Sequence, residues 1–276
     1  MSTLPDAVRA SEWAGRTEAA VLAVATAGVA LMALRGSALM ARDAEGGQLK
    51  TVADEAAEGW VLGYLGAAFP GDVFLSEEAF EREGKAWVPP AAYWTVDALD
   101  GTRSYADGYD GFCVQVAYVR DGEVCVGAIA EPAAGRCYLA ARGAGGWVRE
   151  AGGEFRRLEI AHDPEWPASP VFVDSTRPAG VPGEWFRAHD ARFLELGSIG
   201  LKICRVADGS AHVFLKALRF KLWDVAPGDL LLREAGGALT LWNGERVPYG
   251  TEQVVFEDVL AAPAALAPRL VAEIAH

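Results

Sequence analysis

An apolar run that ends in two aspartates and a glycine constrains this chain more than any other segment. Residues 93–96 predict a buried strand, and Asp97 and Asp100 follow it, directly before Gly101 and Thr102. A strand end lifts side chains out of the sheet, and a glycine allows the backbone to turn sharply and approach a ligand. Two carboxylates on one tight turn can share a hard divalent cation, which prefers oxygen ligands. An ordinary β-turn is the alternative, because Asp and Gly are common turn residues.

The composition is that of a globular protein, with 51% hydrophobic and 23% charged residues in 276 positions. That length suffices for one large domain or two small ones. The net charge of −13 disfavours a nucleic-acid polymer as partner, because such binding needs Lys and Arg to neutralise phosphates. A cluster of carboxylates that holds cations would contribute to this charge, and a solvated acidic surface would give the same value.

The cysteines and one long apolar run bear on the compartment. Cys113, Cys125, Cys137 and Cys204 contain no Cys-x-x-Cys pair, so buried free thiols in a reducing, cytoplasmic compartment are expected. Residues 19–34 form an Ala-rich apolar run, which falls short of the ~20 residues that a membrane span needs. The sequence therefore predicts a buried first helix and no membrane partner.

The order of predicted elements divides the chain into an α+β half over residues 1–150 and an α/β half over residues 151–276. The first half predicts helices at 7–39 and 53–68, a strand at 72–76, and an antiparallel meander at 112–120, 123–131 and 136–141. The second half predicts strands at 171–173, 193–196 and 212–215, and helices at 182–188, 199–207, 225–235 and 264–274. Ser198 is expected to cap the helix at 199–207.

Several separate motifs together resemble one enzyme superfamily. VDALDGT at 96–102 resembles the signature of the lithium-sensitive, magnesium-dependent phosphomonoesterases, which include inositol monophosphatase, fructose-1,6-bisphosphatase and the bisphosphate nucleotidases. Four further segments match in the expected order: KTVADEAAE at 50–58, FPGDVFLSEE at 69–78, KLWDVAPGDLLLREAGG at 221–237 and, more weakly, GSIGLKICRVADGSAHVFL at 197–215. The resemblance implies a layered α-β-α-β-α sandwich with the active site between its halves, and a homodimer.

The resemblance also implies a set of metal ligands. Carried over residue by residue, these are Glu77, Asp97, Asp100, Asp224 and the backbone carbonyl of Leu99, for two or three Mg²⁺ ions. Such cations screen the charge of a phosphate monoester, generate a nucleophile near neutral pH and stabilise the leaving oxygen. Ordinary alternatives exist: Glu77 would suit a solvated loop, and Asp224, at the start of an apolar helix, would suit N-capping.

Other residues are implied to act on the water and the phosphate. Glu77 and Thr102 would hold the attacking water, with Thr51 or Asp54 supporting Thr102, although Asp54 could be purely structural. The backbone amides of Gly101 and Thr102 would contact phosphate at a helix start.

A second set of residues would contact the rest of the substrate. Ser198 and Lys202 open another helix that faces the cleft in the family, and Lys202 could meet a second phosphate or remain solvated. Lys216, Arg219 and Lys221 form a basic cluster before Asp224, where family members read the non-reacting part of the substrate.

Departures from the family pattern bear on the substrate. Seven residues before Asp224 the inositol-type enzymes carry an acid that binds hydroxyls, and this chain has Ala217 there. Ala98, Ser104 and Pro227 also replace common residues without removing a ligand. The expectation is a cytoplasmic Mg²⁺-dependent phosphomonoesterase for a small metabolite, with a nucleotide or sugar phosphate favoured. The alternatives are an inositol-1-monophosphatase-like enzyme of broad range and a non-catalytic protein that acts on the transcription machinery.

Overall fold

The computed structural model describes residues 4–35, 42–43, 50–84, 86–163 and 165–275. Two short strands, β1 (Arg42–Asp43) and β2 (Lys50–Thr51), form an antiparallel pair. The largest sheet has seven strands in chain order: β3 (Phe74–Ser76), β4 (Ala92–Asp100), β5 (Cys113–Arg120), β6 (Glu123–Glu131), β7 (Arg136–Ala141), β8 (Gly145–Arg149) and β9 (Arg156–Arg157). β3 is parallel to β4, and each neighbouring pair from β4 to β9 is antiparallel.

One face of this sheet is covered by two long apolar helices. A short helix, α1 (Asp6–Arg9), precedes α2 (Ala14–Leu34), and α3 (Val52–Ala68) packs beside α2. Gly28 permits the close approach of α2 to the sheet, because a Cβ there would lie 2.9 Å from Pro132 Cγ. Two short helices begin at strand ends: α4 (Glu77–Glu83) after β3 and α5 (Thr102–Ala106) after β4.

A second sheet and four helices complete the molecule. The helices are α6 (Gly180–Ala188), α7 (Ile199–Ala207), α8 (Leu222–Glu234) and α9 (Ala267–Ile274). The strands are β10 (Val171–Asp174), β11 (Arg192–Glu195), β12 (Phe214–Lys221), β13 (Gly237–Thr240) and β14 (Val255–Pro263). β12, β14 and β13 pair in that order, β10 pairs with β11, and a bridge between Phe172 and Val213 joins the two groups.

Side-chain alternation in the second sheet explains the layers. Successive strand residues point to opposite faces, so Val173 and Phe214 belong to the core that contains α7 and α8. Phe172 and Leu215 belong to the core that contains α6 and α9. A third core lies between the larger sheet and the pair α2 and α3. The layers are therefore α2/α3, seven-stranded sheet, α7/α8, second sheet and α6/α9, which confirms the predicted α-β-α-β-α sandwich.

Some predicted elements differ from the structure. The strands at 123–131 and 136–141 and the helix at 199–207 have the predicted bounds. The strand at 212–215 is longer, because β12 continues to Lys221 through a bulge after Ala217. β8, β13 and β14 were not predicted, since glycines or acidic residues interrupt their apolar patterns. The larger sheet continues to β9, past residue 150, and the division into halves there stays a prediction.

The first long helix corrects an argument from length. α2 has 21 residues, and its most apolar window of 18 residues has a mean hydropathy of 1.8, so by length and composition alone it could cross a membrane. The shortness of the apolar run is therefore the wrong reason to exclude a span. Half of the most apolar window is buried against the rest of the protein, as in a core helix.

Candidate active site

A bulge at the end of β4 directs both aspartates of the turn to one side. Asp97 lies opposite Gln115 on β5 and Asp100 lies opposite Cys113, so three steps on β4 match two on β5. An extra residue of this kind bends the strand and re-aims its side chains. Gly101 then has a φ of 92°, and a Cβ there would lie 2.6 Å from the Gly111 carbonyl oxygen. Only glycine suits that position.

Four carboxylates from two parts of the fold meet at one cleft of about 530 Å³. Asp97 and Asp100 come from β4, Glu77 begins α4, and Asp224 is the third residue of α8. The structure thus brings together the side chains that the motifs predicted as metal ligands. Leu99, Gly101, Thr102, Arg219 and Lys221 also line this cleft.

Burial and mutual repulsion make this cluster unfavourable as bare carboxylates. Burial raises the pKa of Asp97 well above its usual value, and Glu77, Asp100 and Asp224 raise it further. Burial likewise raises the pKa of Asp224, with Glu77 and Asp100 adding to the effect. Burial raises the pKa of Glu77 to about 7 although Lys221 opposes the change. Such a cluster favours a proton or a cation.

Asp224 also caps the start of a helix, which was the alternative interpretation of its position. Its Oδ2 accepts a hydrogen bond of 2.7 Å from the backbone N–H of Lys221, which forms part of a capping box at the start of α8. One oxygen of the carboxylate is therefore fixed by the helix terminus. Capping and a place at the cleft are compatible, because a carboxylate has two oxygens.

Gln115 connects the carboxylates and was not predicted. Its Nε2 donates to Asp97 Oδ2 at 3.5 Å, to Asp100 Oδ2 at 3.3 Å and to the Asp224 carbonyl at 3.2 Å. The amide thus spans from the larger sheet to α8. A polar side chain inside the apolar run CVQVAYV was the available signal.

Ser198 fixes one of the carboxylates of the cluster. Its hydroxyl donates to Asp100 Oδ2 at 2.5 Å and accepts from the backbone N–H of Leu201 at 3.0 Å. The backbone N–H of Gly200 also donates to Asp100 Oδ2 at 2.7 Å. The predicted helix cap is confirmed. Ser198 is buried, and its role as a substrate contact stays a prediction.

Thr102 is placed to relay a proton. Its Oγ1 lies 2.9 Å from Asp54 Oδ1 and 3.1 Å from the Leu99 carbonyl, so its hydroxyl proton faces these acceptors. The side chain of Thr51, the other predicted support, lies outside the described residues. α5 after Gly101 has only five residues, so its dipole adds little to a phosphate site at its start.

Lys221 stands among the carboxylates as a counter-ion. Its Nζ lies 3.4 Å from Glu77 Oε1 and 3.0 Å from Glu81 Oε1.

In the described part of the chain, no three His, Cys, Asp or Glu side chains are arranged to hold a metal ion. The donors still fit Mg²⁺ chemically, because they are hard oxygens in a repulsive cluster.

The predicted basic cluster separates into two groups. Lys202 is 2% exposed and lies 3.2 Å from Asp174, which also binds Lys216 at 2.7 Å. Lys202 is therefore buried in this ion pair and does not line the cleft, and its role as a phosphate contact stays a prediction. Arg219 is exposed at the cleft, two residues after Ala217. Of the predicted cations, Arg219 and Lys221 remain beside the carboxylates.

Comparison with known proteins agrees with this geometry. A model described as the inositol monophosphatase family matches residues 13–275. The chain is 31% identical over 214 residues to a histidinol-phosphatase of Mycobacterium tuberculosis, covering 76% of this chain and 80% of that protein. It is 32% identical over 212 residues to an inositol-1-monophosphatase of Mesorhizobium japonicum, covering 72% and 74%. It is 31% identical over 207 residues to the Nus factor SuhB of Xylella fastidiosa, covering 71% and 70%.

A solved structure has the same fold. The IMPase of Thermotoga maritima superposes with a TM-score of 0.77 at 21% identity, covering 94% of this chain and 96% of that one.

Proposed function

The chain belongs to the inositol monophosphatase family, and on that basis we propose that it is a Mg²⁺-dependent phosphomonoesterase for a small metabolite. The family and the phosphatases among its relatives make it a hydrolase. The observation that carries the rest of the proposal is the meeting of Glu77, Asp97, Asp100 and Asp224 at one cleft beside the Thr102–Asp54 hydrogen bond. Carboxylates alone would repel a phosphate dianion, so this cleft requires cations.

The residues that would hold Mg²⁺ are the four carboxylates and the carbonyl of Leu99. Bound Mg²⁺ would neutralise phosphate charge, lower the pKa of a water and stabilise the leaving oxygen. Gln115 keeps the carboxylates of β4 in place relative to α8, and Ser198 fixes one oxygen of Asp100. This support leaves little freedom for the ligands to turn away.

Thr102 and Asp54 would manage the proton of the attacking water. Because the Thr102 hydroxyl donates to Asp54 or Leu99, its oxygen lone pairs are available to accept from a water in the cleft. The water proton would pass to Thr102 Oγ1 as the Thr102 proton passes to Asp54. The water oxygen would then bond to phosphorus as the bond from phosphorus to the ester oxygen breaks. The leaving oxygen would take a proton from a solvent water to give the free alcohol, and Asp54 would return its proton to solvent.

The choice of substrate rests on the other residues that line the cleft. Gly101 and Thr102 amides would contact the phosphate, and Arg219 would contact an anionic or planar group of the remainder. Arginine offers bidentate hydrogen bonds and stacking, whereas Ala217 offers no acceptor for a polyol. A nucleotide or sugar phosphate is therefore favoured over inositol phosphate, and the histidinol-phosphatase relative adds amino-alcohol phosphates to the candidates.

A screen of phosphate release tests this function. Purified protein would be incubated with Mg²⁺ or with EDTA and with nucleoside phosphates, sugar phosphates, histidinol phosphate and inositol 1-phosphate. Turnover that requires Mg²⁺ is expected, and Ca²⁺ is expected to inhibit because it prefers longer bonds and more ligands. Equal turnover in EDTA, or none with any ester, contradicts the proposal.

A second candidate function follows from one relative. The Nus factor SuhB relative suggests a role on the transcription machinery. In this role the chain would act as a homodimer in the cytoplasm. The net charge of −13 makes a protein a more suitable partner than a nucleic acid. A stoichiometric protein partner in a pull-down, together with no phosphate release in the screen, would favour this role over catalysis.

A further inference from the structure

Lys221 places a positive charge inside the carboxylate cluster of the cleft. Its Nζ lies 3.4 Å from Glu77 Oε1 and 3.0 Å from Glu81 Oε1, and its side chain is 15% exposed. Glu77 and Glu81 stand four positions apart on α4, so their carboxylates share one face of that helix. The ammonium thus contacts two carboxylates that could otherwise share a metal ion.

The backbone and the neighbouring rings hold this lysine in place. Lys221 pairs with Val255 at the end of β12, and its backbone N–H donates to Asp224 Oδ2 at 2.7 Å. Its Nζ lies 5.6 Å from the centre of the Trp223 ring, within the range of a cation–π contact. Trp223 in turn packs edge-on against Phe80 of α4 with ring centroids 5.4 Å apart. A cation held at this many points is part of the site and differs from a freely solvated surface lysine.

The formal charge of the cleft shows what the ammonium contributes. The four predicted ligand carboxylates, Glu81, Arg219 and Lys221 are the charged groups among the described residues that line it. Together they carry three negative charges when all are ionised. Two Mg²⁺ ions would exceed these by one positive charge, so a phosphate dianion would be attracted. Without Lys221, two Mg²⁺ ions would only neutralise the cleft, and attraction for the phosphate would require a third.

A metal ion on the pair Glu77 and Glu81 would also have to displace the ammonium. Mg²⁺ binds carboxylate oxygens at about 2.0–2.1 Å, and the oxygens it would need are the ones that Nζ already contacts. Two positive charges a few ångströms apart repel each other. Glu77 keeps a second oxygen, Oε2, which can still ligate an ion of the cluster. The ammonium therefore excludes one ion without removing a ligand from the others.

We propose that Lys221 takes the place of one metal ion, so that the cleft binds two Mg²⁺ ions, where the resemblance leaves two or three open. The ammonium supplies the charge that a third ion at Glu77 and Glu81 would otherwise bring. It acts on the phosphate as a fixed charge and transfers no proton. This inference rests on the proposed phosphatase function and specifies the metal content of the same site.

The number of bound ions can be measured without turnover. Mn²⁺ prefers the same hard oxygen ligands as Mg²⁺. It is titrated into the metal-free protein, and electron paramagnetic resonance of the free ion gives the number bound per chain. The wild-type protein is expected to bind two ions, and Lys221→Met is expected to bind three. Lys221→Met combined with Glu81→Gln should bind two again, because one carboxylate of the vacated pair is gone.

Further variants control for charge and for folding. Lys221→Arg keeps a cation at the end of β12 and should bind two ions. Arg82→Met removes an exposed positive charge from α4, at a residue outside the described lining of the cleft, and should also bind two. Thermal melting shows whether each variant is folded, and Lys221→Gln replaces Lys221→Met if the latter does not fold.

The outcomes separate this inference from the proposed function. Three ions in the wild-type protein, or equal numbers in the wild type and Lys221→Met, overturn the role of Lys221 while Mg²⁺-dependent hydrolysis stands. A third ion that also appears in Arg82→Met overturns it too, because overall charge would then explain the change. A third ion in Lys221→Met alone supports the role of Lys221 even if no ester is hydrolysed, and in that case only the proposed function fails.

Discussion

The two walls of the cleft are built on different principles. On the wall from β4 and α4, Asp97 and Asp100 point together because a bulge re-aims them, and Gln115 holds both. On the side from α7 and β12, Lys202 and Lys216 do not line the cleft, since both pair with buried Asp174. The first wall gathers like charges at high electrostatic cost, and the second neutralises its charges internally.

This difference teaches where local sequence determines function. A buried carboxylate cluster needs a proton or a cation to compensate its repulsion, so the first wall is the candidate for chemistry. The buried Asp174 pair satisfies itself and indicates stability. Of the β12 cations Lys216, Arg219 and Lys221, Arg219 is the one that is both exposed and at the cleft.

Asp97→Asn removes a charge from the first wall and has the largest expected effect on activity. Removing one negative charge from the centre of the cluster should lower kcat by ~10³-fold or more, because metal-assisted steps supply several kcal/mol. The melting temperature without Mg²⁺ should stay equal or rise, since the variant relieves repulsion with Glu77 and Asp224. Phosphate release and thermal melting measure both effects.

A matched control for this prediction is Asp190→Asn, an exposed aspartate with a φ of 46° that asparagine also adopts. It should keep wild-type turnover and stability. If Asp97→Asn retains a tenth of the activity, the carboxylates of this wall do not carry the chemistry.

Asp174→Ala removes the carboxylate of the second wall and should lower the stability of the protein. It leaves Lys202 buried without its carboxylate, which costs about 3 kcal/mol in the free energy of unfolding. Chemical denaturation measures this loss. The double variant Asp174→Ala with Lys202→Met should recover part of it, because the buried charge is then gone. A single variant as stable as the wild type would show that this pair is not the structural unit described here.

Arg219→Ala sharpens the contrast between cations on β12. It should raise KM for the preferred substrate by about ten- to hundredfold, as expected for one or two charge-assisted hydrogen bonds. Arg156→Ala on exposed β9 serves as the control and should leave KM unchanged. Steady-state kinetics on one aromatic and one sugar phosphate would detect the effect. An unchanged KM for both removes Arg219 from substrate recognition.

Lys221→Met gives the smallest expected effect and tests the counter-ion. Without the ammonium beside Glu77, Mg²⁺ should bind about two- to fivefold more tightly. A change of this size matches the free energy of one partly exposed ion pair. Calorimetric titration of Mg²⁺ measures the affinity directly. Arg82→Gln on α4 controls for overall charge, because Arg82 is exposed near the same helix. Weaker Mg²⁺ binding in Lys221→Met would mean that the lysine orders the site instead of competing with the metal.

The sequence predicts the first wall well because its signals are local. The strand, the turn glycine and the paired aspartates lie within residues 93–102, and the resemblance supplied Glu77 and Asp224. The order of elements predicted an α+β half and an α/β half, and the resemblance supplied the layered sandwich. Gln115 was missed because one polar residue in a strand does not identify its partners, which come from β4 and α8.

The second wall was predicted poorly because it depends on distant contacts. Lys216 lies 42 positions from Asp174 in the chain, and Lys202 lies closer. Nothing in the sequence indicates that either lysine pairs with Asp174. The bulge in β12 after Ala217 also changes which side chains face the cleft. A lysine near a ligand motif can form an ion pair with a buried carboxylate instead of facing the cleft. Whether it does so depends on how α7 packs against the second sheet.

The double attachment of Lys221 has a mechanical consequence. Its backbone N–H binds Asp224 on α8 and its side chain binds Glu77 and Glu81 on α4, so one residue latches the two sides of the cleft together. A cation on Glu77 competes for the same oxygens that hold this latch. A metal ion bound at Glu77 would therefore weaken the connection that Lys221 makes between the two sides of the cleft.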